Sequence, residues 1–399
     1  MRVLISAFQC APGVGSEPGN GWYWPTALAS IGHEVTVVTA SSWRSRIVTE
    51  ADNWPQIRFE FVDLPWTPVR YPDALRTADV YRRWQVAAYR HMAATGLKFD
   101  VIHHTGWGSV HLGSQLWRLP APLVFGPVGG GQTAPASYWR YFGRDWPLEA
   151  TRNVATNSLL GLNPLSRQTV RKAAVTLATN HDTAAICKSL GGRDVRYSLA
   201  EGLPADWIAR PRRKPADVPT VLWVGRMLPR KAPALALRAF AELRRMIPAR
   251  LVMAGDGPLF GQVRELVEQL GIADSVDLPG RVAWNDLVGM YDEASAFLFC
   301  SLRDSSGSQF LEALGRGLPA VALAMHGIGD TETGIATVKV PIEPRPEEMP
   351  AQIGKALHTL LTGEEWEDRS AEGVRWAAGN TWTAKAEAAT RIYEELAKR

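Results

Sequence analysis

Cysteine is scarce in this chain: Cys10, Cys187 and Cys300 are the only three among 399 residues. They are far apart and odd in number, so no disulfide framework follows. No C-x2-C spacing offers a structural metal site either. Apolar runs are short, none reaching the roughly 18 residues a membrane-spanning helix needs. The opening residues, 1–8, are read as a strand rather than a secretory leader, because the run is brief and flows into glycine-rich sequence. Surplus charge is also small: 44 Lys and Arg against 40 Asp and Glu leave +4. With no recognition module, that excludes nucleic acid and suits anionic small molecules or an anionic lipid surface. A reduced, cytoplasmic protein is expected, with peripheral contact at the inner face of the cytoplasmic membrane as a further partner surface. What is plentiful is apolar residues, 46% of the chain, enough to bury two cores of ordinary size. Its sixteen tryptophans divide between core and groove lining.

Short β-branched runs alternate with amphipathic stretches, the pattern of parallel strands joined by crossover helices. Residues 2–8 read as a first strand. Gly13, Gly15, Gly19 and Gly21 form a loop before a helix over 22–30, and 35–39 is a second strand. This unit opens a doubly wound sheet, although it lacks the G-x-G-x-x-G spacing of a dinucleotide site. Residues 57–62 suggest another strand, after which Pro65, Pro68 and Pro72 interrupt the chain. A helix over 74–95 carries Arg76, Tyr81, Arg82, Arg83, Trp84, Tyr89 and Arg90. Its arginines and rings meet a lipid surface, or form a solvated face whose rings turn into the core. His103 and His104 end a strand, the place where α/β proteins bind ligands. A strand over 121–125 runs into Gly129, Gly130 and Gly131, read as the lining of a cleft. Pro204, Pro211, Arg212, Arg213, Lys214 and Pro215 make a stiff charged linker, which places the domains at 1–203 and 204–380.

The second half carries the sharper signals. A strand over 221–224 leads into Gly225 and Arg226, with Lys231 five residues on, before a helix over 234–246. The two cations either aim at one anion or decorate a turn. Strand exits recur at Gly255 and Gly257, and at Gly280, Arg281 and Val282. A buried strand over 297–300 is followed by Asp304, Ser305, Ser306, Gly307 and Ser308. The helix after it is expected to end at Gly317, with Pro319 blocking continuation. Small residues at a helix start let an anion reach free N–H groups and the positive dipole end, and Ser305 or Ser306 can cap. Glu312 stands about two turns into that helix if it starts near Ser306. A diphosphate there would have one acid near each end.

Asp304, Gly307, Glu312, Ala313, Gly317 and Pro319 resemble the Glu-x7-Glu signature of retaining glycosyltransferases of family 4, group 1 type. Asp304 stands for the first Glu. The runs at 225–231, 255–258 and 276–282, the G-H-x-V run at 32–35, and Thr381, Trp382 and Tyr393 near the end are similar to the same family. Ala232 replaces its usual Gly.

The resemblance implies the α/β GT-B fold, two Rossmann-like doubly wound parallel-sheet domains facing a cleft, with helix 381–399 returning to the first domain. It implies hexosyl transfer from a UDP- or GDP-sugar to a glycan or lipid-linked glycan, with retention, no metal and no tightly bound cofactor. Arg226 and Lys231 would neutralise the diphosphate, Glu312 would hold ribose and Asp304 the sugar. Gly225, Gly257, Arg281, Val282, Ser306, Gly307 and Ser308 complete the donor site, with Gly13 and Gly15 across the cleft. His103 or His104 would stand beside the transferring bond. Gly129, Gly130, Gly131 and Trp107 would face the acceptor, whose groove the aromatic run 138–146 would cover. His326, in a loop that departs from the family pattern, is offered as a sugar contact. A GT-B epimerase or phosphorylase, and a non-catalytic nucleotide- or glycan-binding relative, are the alternatives.

Overall fold

Runs such as Val3-Leu4-Ile5 and Val35-Thr36-Val37-Val38 suit strands covered on both faces, since side chains alternate and every one is apolar or small. In the computed structural model, which describes residues 1–64, 73–213 and 218–398, they form the centre of a seven-stranded parallel sheet. Pro65, Pro68, Pro72, Lys214 and Pro215 lie outside the described residues, as does the side chain of Arg76. The strands are β1 (Arg2–Ser6), β2 (Glu34–Thr39), β3 (Ile57–Phe61), β4 (Val101–His104), β5 (Leu123–Val128), β6 (Val175–Ala178) and β7 (Val195–Tyr197). Their order is β3-β2-β1-β4-β5-β6-β7. A second sheet, also parallel, holds β8 (Thr220–Val224), β9 (Arg250–Ala254), β10 (Val276–Gly280), β11 (Ala296–Phe299), β12 (Ala320–Leu323) and β13 (Thr337–Val340) in the order β10-β9-β8-β11-β12-β13.

The chain divides into two compact units. The first comprises Met1–Gly131, Thr156–Gly202 and Trp382–Arg399, the second Gln132–Ala155 and Leu203–Thr381. Residues 132–155 therefore depart from an unbroken 1–203 domain. The cause is aromatic: Tyr138 and Phe142 are buried in one cluster with Leu237, Phe240 and Met349 of the second unit. The Tyr138 hydroxyl also donates to the Glu343 carbonyl at 2.9 Å. Rings of this size bury enough apolar area to decide which core a connecting segment joins.

In the first unit, Val3 and Ile5 face Trp24, Leu28 and Tyr393, while Leu4 faces Tyr81, Trp84 and Ile102. Helix Trp382–Ala397 buries Trp382, Ala386, Ala389, Tyr393 and Leu396, one stripe of an amphipathic helix. Trp382 stacks on Tyr23 with ring centroids 5.6 Å apart. Helix Asp73–Ala94 turns Tyr81 and Trp84 into the core and leaves Arg82 and Arg83 exposed, the plainer of its two readings. Among the described residues no helix is long and apolar enough to cross a membrane.

The helix expected over 22–30 starts earlier, at Ser16, and takes in Gly19 and Gly21. Both are required by close approach. A Cβ on Gly19 would stand 1.9 Å from the Val14 carbonyl oxygen, and one on Gly21 2.0 Å from that of Gln9.

Candidate active site

A doubly wound sheet opens a crevice where strand order reverses, because the loops leaving neighbouring carboxyl ends run in opposite directions. In the second unit that point lies between β8 and β11. The loops leaving these two strands carry Arg226, Lys231, Asp304 and the start of the helix bearing Glu312. The two loops are joined by a backbone bond from Leu302 N–H to the Arg230 carbonyl, 2.8 Å. Lys231, 7% exposed, forms an ion pair with Asp304. The Arg230 guanidinium lies 3.6 Å from the same carboxylate. The Ser301 hydroxyl and the Ser305 N–H donate to it at 3.3 and 3.1 Å. Burial alone would raise the Asp304 carboxyl, but Lys231 and then Arg230 outweigh it, and its pKa lies below the ordinary value. Arg226 is exposed, and its guanidinium makes no hydrogen bond or ion pair with the described residues.

Helix Ser308–Gly315 begins later than expected. Its N-cap is Gly307, at φ +76°, with no side-chain cap, so neither Ser305 nor Ser306 caps it. A Cβ on Gly307 would meet the Phe299 ring at 2.6 Å, which makes glycine obligatory there on space and backbone alike. Glu312 is thus little more than one turn in, not two. The helix ends as read from sequence: Leu318 N–H bonds to the Ala313 carbonyl and Gly317 N–H to that of Leu314, a Schellman motif with Gly317 at φ +67°. Ser306 is buried, and the Ser308 hydroxyl accepts from Gln309 at 3.1 Å.

Glu312 is almost fully buried. Its two carboxylate oxygens accept from the Trp284 indole N–H, 3.1 Å, and the Tyr291 hydroxyl, 2.8 Å. Gly257 is explained by loop contact, whereas a Cβ on Gly225 would meet only the Trp223 ring at 3.5 Å. Met227 N–H bonds to the Asp256 carbonyl at 2.9 Å, and a Cβ on Gly257 would stand 2.7 Å from the Met227 oxygen. Arg281 is exposed, and Val282 packs half-buried beside Leu287. The loop at 326 lies on the serine loop: a Cβ on Gly327 would fall 1.9 Å from the Ser305 carbonyl oxygen.

In the first unit the order reverses between β1 and β4. Gly13 is exposed at φ +66°, and Gly15 is the N-cap of helix Ser16–Ser30. The Glu17 carboxylate accepts the Trp107 N–H, and Trp107 itself stands at φ +40°. Neither histidine reaches a surface, which corrects the expectation of a catalytic one. His103 bonds through Nδ1 to the Tyr393 hydroxyl at 2.6 Å and through Nε2 to the Gly126 carbonyl at 2.7 Å. His104 meets the Tyr81 hydroxyl at 2.9 Å. Burial lowers their pKa values to about 4 and about 3, so both are neutral at pH 7. The physical reason is that β4 is central and covered on both faces, so strand parity chooses between two cores.

The three glycines after β5 are buried as well. Gly129 N–H donates to the Gly108 carbonyl at 2.7 Å and Gly131 N–H to the Thr183 hydroxyl at 3.0 Å. They serve close packing, and these two amides are not open to a ligand.

Within the second unit, Glu149, Trp284 and Tyr291 near the site carried no local signal of these contacts. Glu149 grips Arg303, the neighbour of Asp304, at 2.5 and 3.1 Å, across 154 positions of sequence. A groove of about 1420 Å³ lies elsewhere in the second unit, lined by Trp139, Tyr141, Arg238 and Leu266 among others, and no donor-site candidate lines it. The run 138–146 borders this groove. Among the described residues no cluster of three or more His, Cys, Asp or Glu could hold a metal ion.

Comparison with known proteins agrees with this architecture. Residues 206–366 match the family of glycosyl transferases group 1. The chain is 35% identical to the D-inositol 3-phosphate glycosyltransferase of Frankia alni, over 96% of this chain and 95% of that one. Sucrose-phosphate synthase from Thermosynechococcus elongatus superposes with a TM-score of 0.69 at 19% identity, covering 99% and 98% of the two chains. Anabaena HepE in complex with UDP and glucose does so with a TM-score of 0.60 at 14% identity, covering 100% and 99%. Two parallel-sheet α/β units of this kind define the GT-B class. Within it the chain belongs to the group 1 glycosyltransferases, and it is a sugar-transferring enzyme.

Proposed function

We propose that this enzyme moves a hexosyl group from a UDP- or GDP-sugar to a hydroxyl of a glycan or lipid-linked glycan, retaining anomeric configuration and needing no metal. The observation that carries this reading is the pairing of Lys231, Arg230 and Asp304 on two loops at the β8/β11 reversal, with Arg226 exposed on the first of those loops. The C1–O bond breaks with its electron pair passing to the diphosphate. Arg226, Lys231 and the amide end of helix Ser308–Gly315 stabilise that charge, each donor contributing about 3 kcal/mol. The acceptor oxygen attacks from the same face, and its proton passes to the departing phosphate oxygen. A diphosphate draws Lys231 from Asp304, which frees the carboxylate for sugar hydroxyls, while Glu312 holds the ribose. The name of the Frankia relative puts a phosphorylated inositol first among acceptors to assay, with UDP- and GDP-sugars as the donor panel. The reaction is placed in the cytoplasm, at the inner membrane face where the acceptor is lipid-linked.

The test is transfer from a panel of UDP- and GDP-sugars with EDTA present, the product anomer being read by NMR. The expected product keeps the donor's configuration. Arg226→Ala is expected to lower kcat/KM by about 100-fold or more, without loss of folding because no buried partner is left unpaired. An inverted product, a strict metal requirement, or an unimpaired Arg226→Ala enzyme overturns the reading.

A further inference from the structure

We propose that Trp284 is a positioning residue that gives this enzyme its selectivity for ribonucleotide donors, acting through Glu312; this rests on the reading of Glu312 as the ribose-holding acid. Glu312 sits on the helix that opens at the β8/β11 reversal, and its carboxylate is held between two neutral donors on separate parts of the chain. The Tyr291 hydroxyl comes from helix Leu287–Glu293 and is wholly buried; burial, then the Glu312 charge, raises its pKa well above the ordinary value, so it stays a donor. The Trp284 indole comes from the turn Trp284–Asp286, a few residues past Arg281 and Val282, and is half-buried. Trp207 stacks on its ring at 4.5 Å with planes 14° apart, and Tyr291 meets Trp207 edge-on at 6.3 Å.

The arrangement does two things. An indole N–H has one hydrogen and no acceptor capacity, so once the ring is fixed by stacking the donor direction is fixed too. A carboxylate bound on one oxygen by a buried hydroxyl and on the other by a locked indole cannot swing about its last bond. Neither of these two donors carries a charge of its own, so neither cancels that of the carboxylate that would accept from vicinal hydroxyls. An arginine or lysine in place of Trp284 would hold the acid as firmly, but would cancel that charge. Vicinal hydroxyls are the group that a rigid carboxylate recognises in bidentate fashion, and ribose carries them at C2′ and C3′. Charge-assisted hydrogen bonds of this kind discriminate by about ten- to a hundredfold.

The experiment measures Kd for UDP and GDP against their 2′-deoxy and 3′-deoxy counterparts by calorimetry, on the full chain and on Trp284→Phe, which keeps an aromatic ring but has no N–H. For the better-bound base, the unaltered enzyme is expected to favour the ribonucleotide by at least tenfold. Trp284→Phe should cut that ratio to a few-fold while kcat at saturating donor changes less than twofold. Tyr291→Phe, which frees the other oxygen, should shrink the ratio in the same way. A Trp284→Phe ratio equal to that of the unaltered enzyme overturns the proposal and leaves the ribose reading of Glu312 intact. An unaltered enzyme that binds ribo- and deoxynucleotides equally overturns both. Equal loss of affinity for all ligands, with the ratio preserved, assigns Trp284 a merely structural role and also overturns the proposal.

Discussion

Glu17 is a single carboxyl whose surroundings oppose its charge. Burial of its carboxyl end raises its pKa to about 7, against the pull of the Trp107 N–H and with help from Glu201. The folded protein therefore binds a proton that the unfolded chain has released, between the ordinary value of 4.5 and about 7. Stability must fall as pH rises across that window and level off above it. Glu17→Gln keeps an oxygen for the Trp107 N–H and removes the titration. The variant is expected to gain on the unaltered enzyme from pH 4.5 to 7, by at most about 3 kcal/mol, as read from urea midpoints at pH 4 and pH 8. An equal difference at both pH values would show that another group titrates. Ala232 makes a second point at this scale. It replaces a glycine of the family pattern yet stands at φ +47°, ψ +53°, the left-handed region, where a Cβ costs about 1–2 kcal/mol. The pattern marked the position as special. Only the backbone showed that the strain persists without the glycine.

Among elements, the segment 132–155 is the one whose allegiance the sequence misassigned. It follows β5 of the first sheet but takes its place in the second unit through Tyr138, Phe142 and the pair Glu149–Arg303. Glu149 and Arg303 side chains are 9% and 16% exposed, and burial lowers the Arg303 guanidinium despite Glu149. Removing one partner of such a pair leaves an uncompensated buried charge and costs about 3–5 kcal/mol. Glu149→Gln is expected to lower unfolding free energy by that order, Arg303→Met by less because Glu149 keeps Arg152 at 3.6 Å, and the double variant by less than their sum. Additive losses in that cycle would mean the two side chains do not act on each other. Because Arg303 adjoins Asp304, Glu149→Gln should also raise the donor KM. Helix Ser308–Gly315 gives a contrast within one element. Its end was legible, since Gly317 and Pro319 act locally. Its start was not, since Gly307 is set by the Phe299 ring behind it.

For the whole molecule, the proposed donor site belongs to the second unit, so nucleotide should stabilise that unit first. At a hundredfold excess of UDP or GDP over Kd, the gain is about 2.7 kcal/mol. Hydrogen exchange is expected to slow in residues 225–232 and 300–315 more than anywhere in β1 to β7. Uniform protection across both units, or protection confined to the first, would move the nucleotide elsewhere.

Alternating apolar runs and glycines at strand exits determined by themselves that this chain forms parallel α/β sheets, and the resemblance of residues 225–231 and 304–319 to a family signature pointed to sugar transfer. Those are short-range properties: side-chain periodicity, helix termination and loop composition act over a few residues. The tertiary structure decided that His103 and His104 are core, that the Gly129 and Gly131 amides are bonded within the fold, and that Glu312 is held by Trp284 and Tyr291. Each of these depends on which distant group comes within hydrogen-bond or van der Waals reach. A linear pattern carries the chemistry of one partner, and only the folded chain brings the other to it.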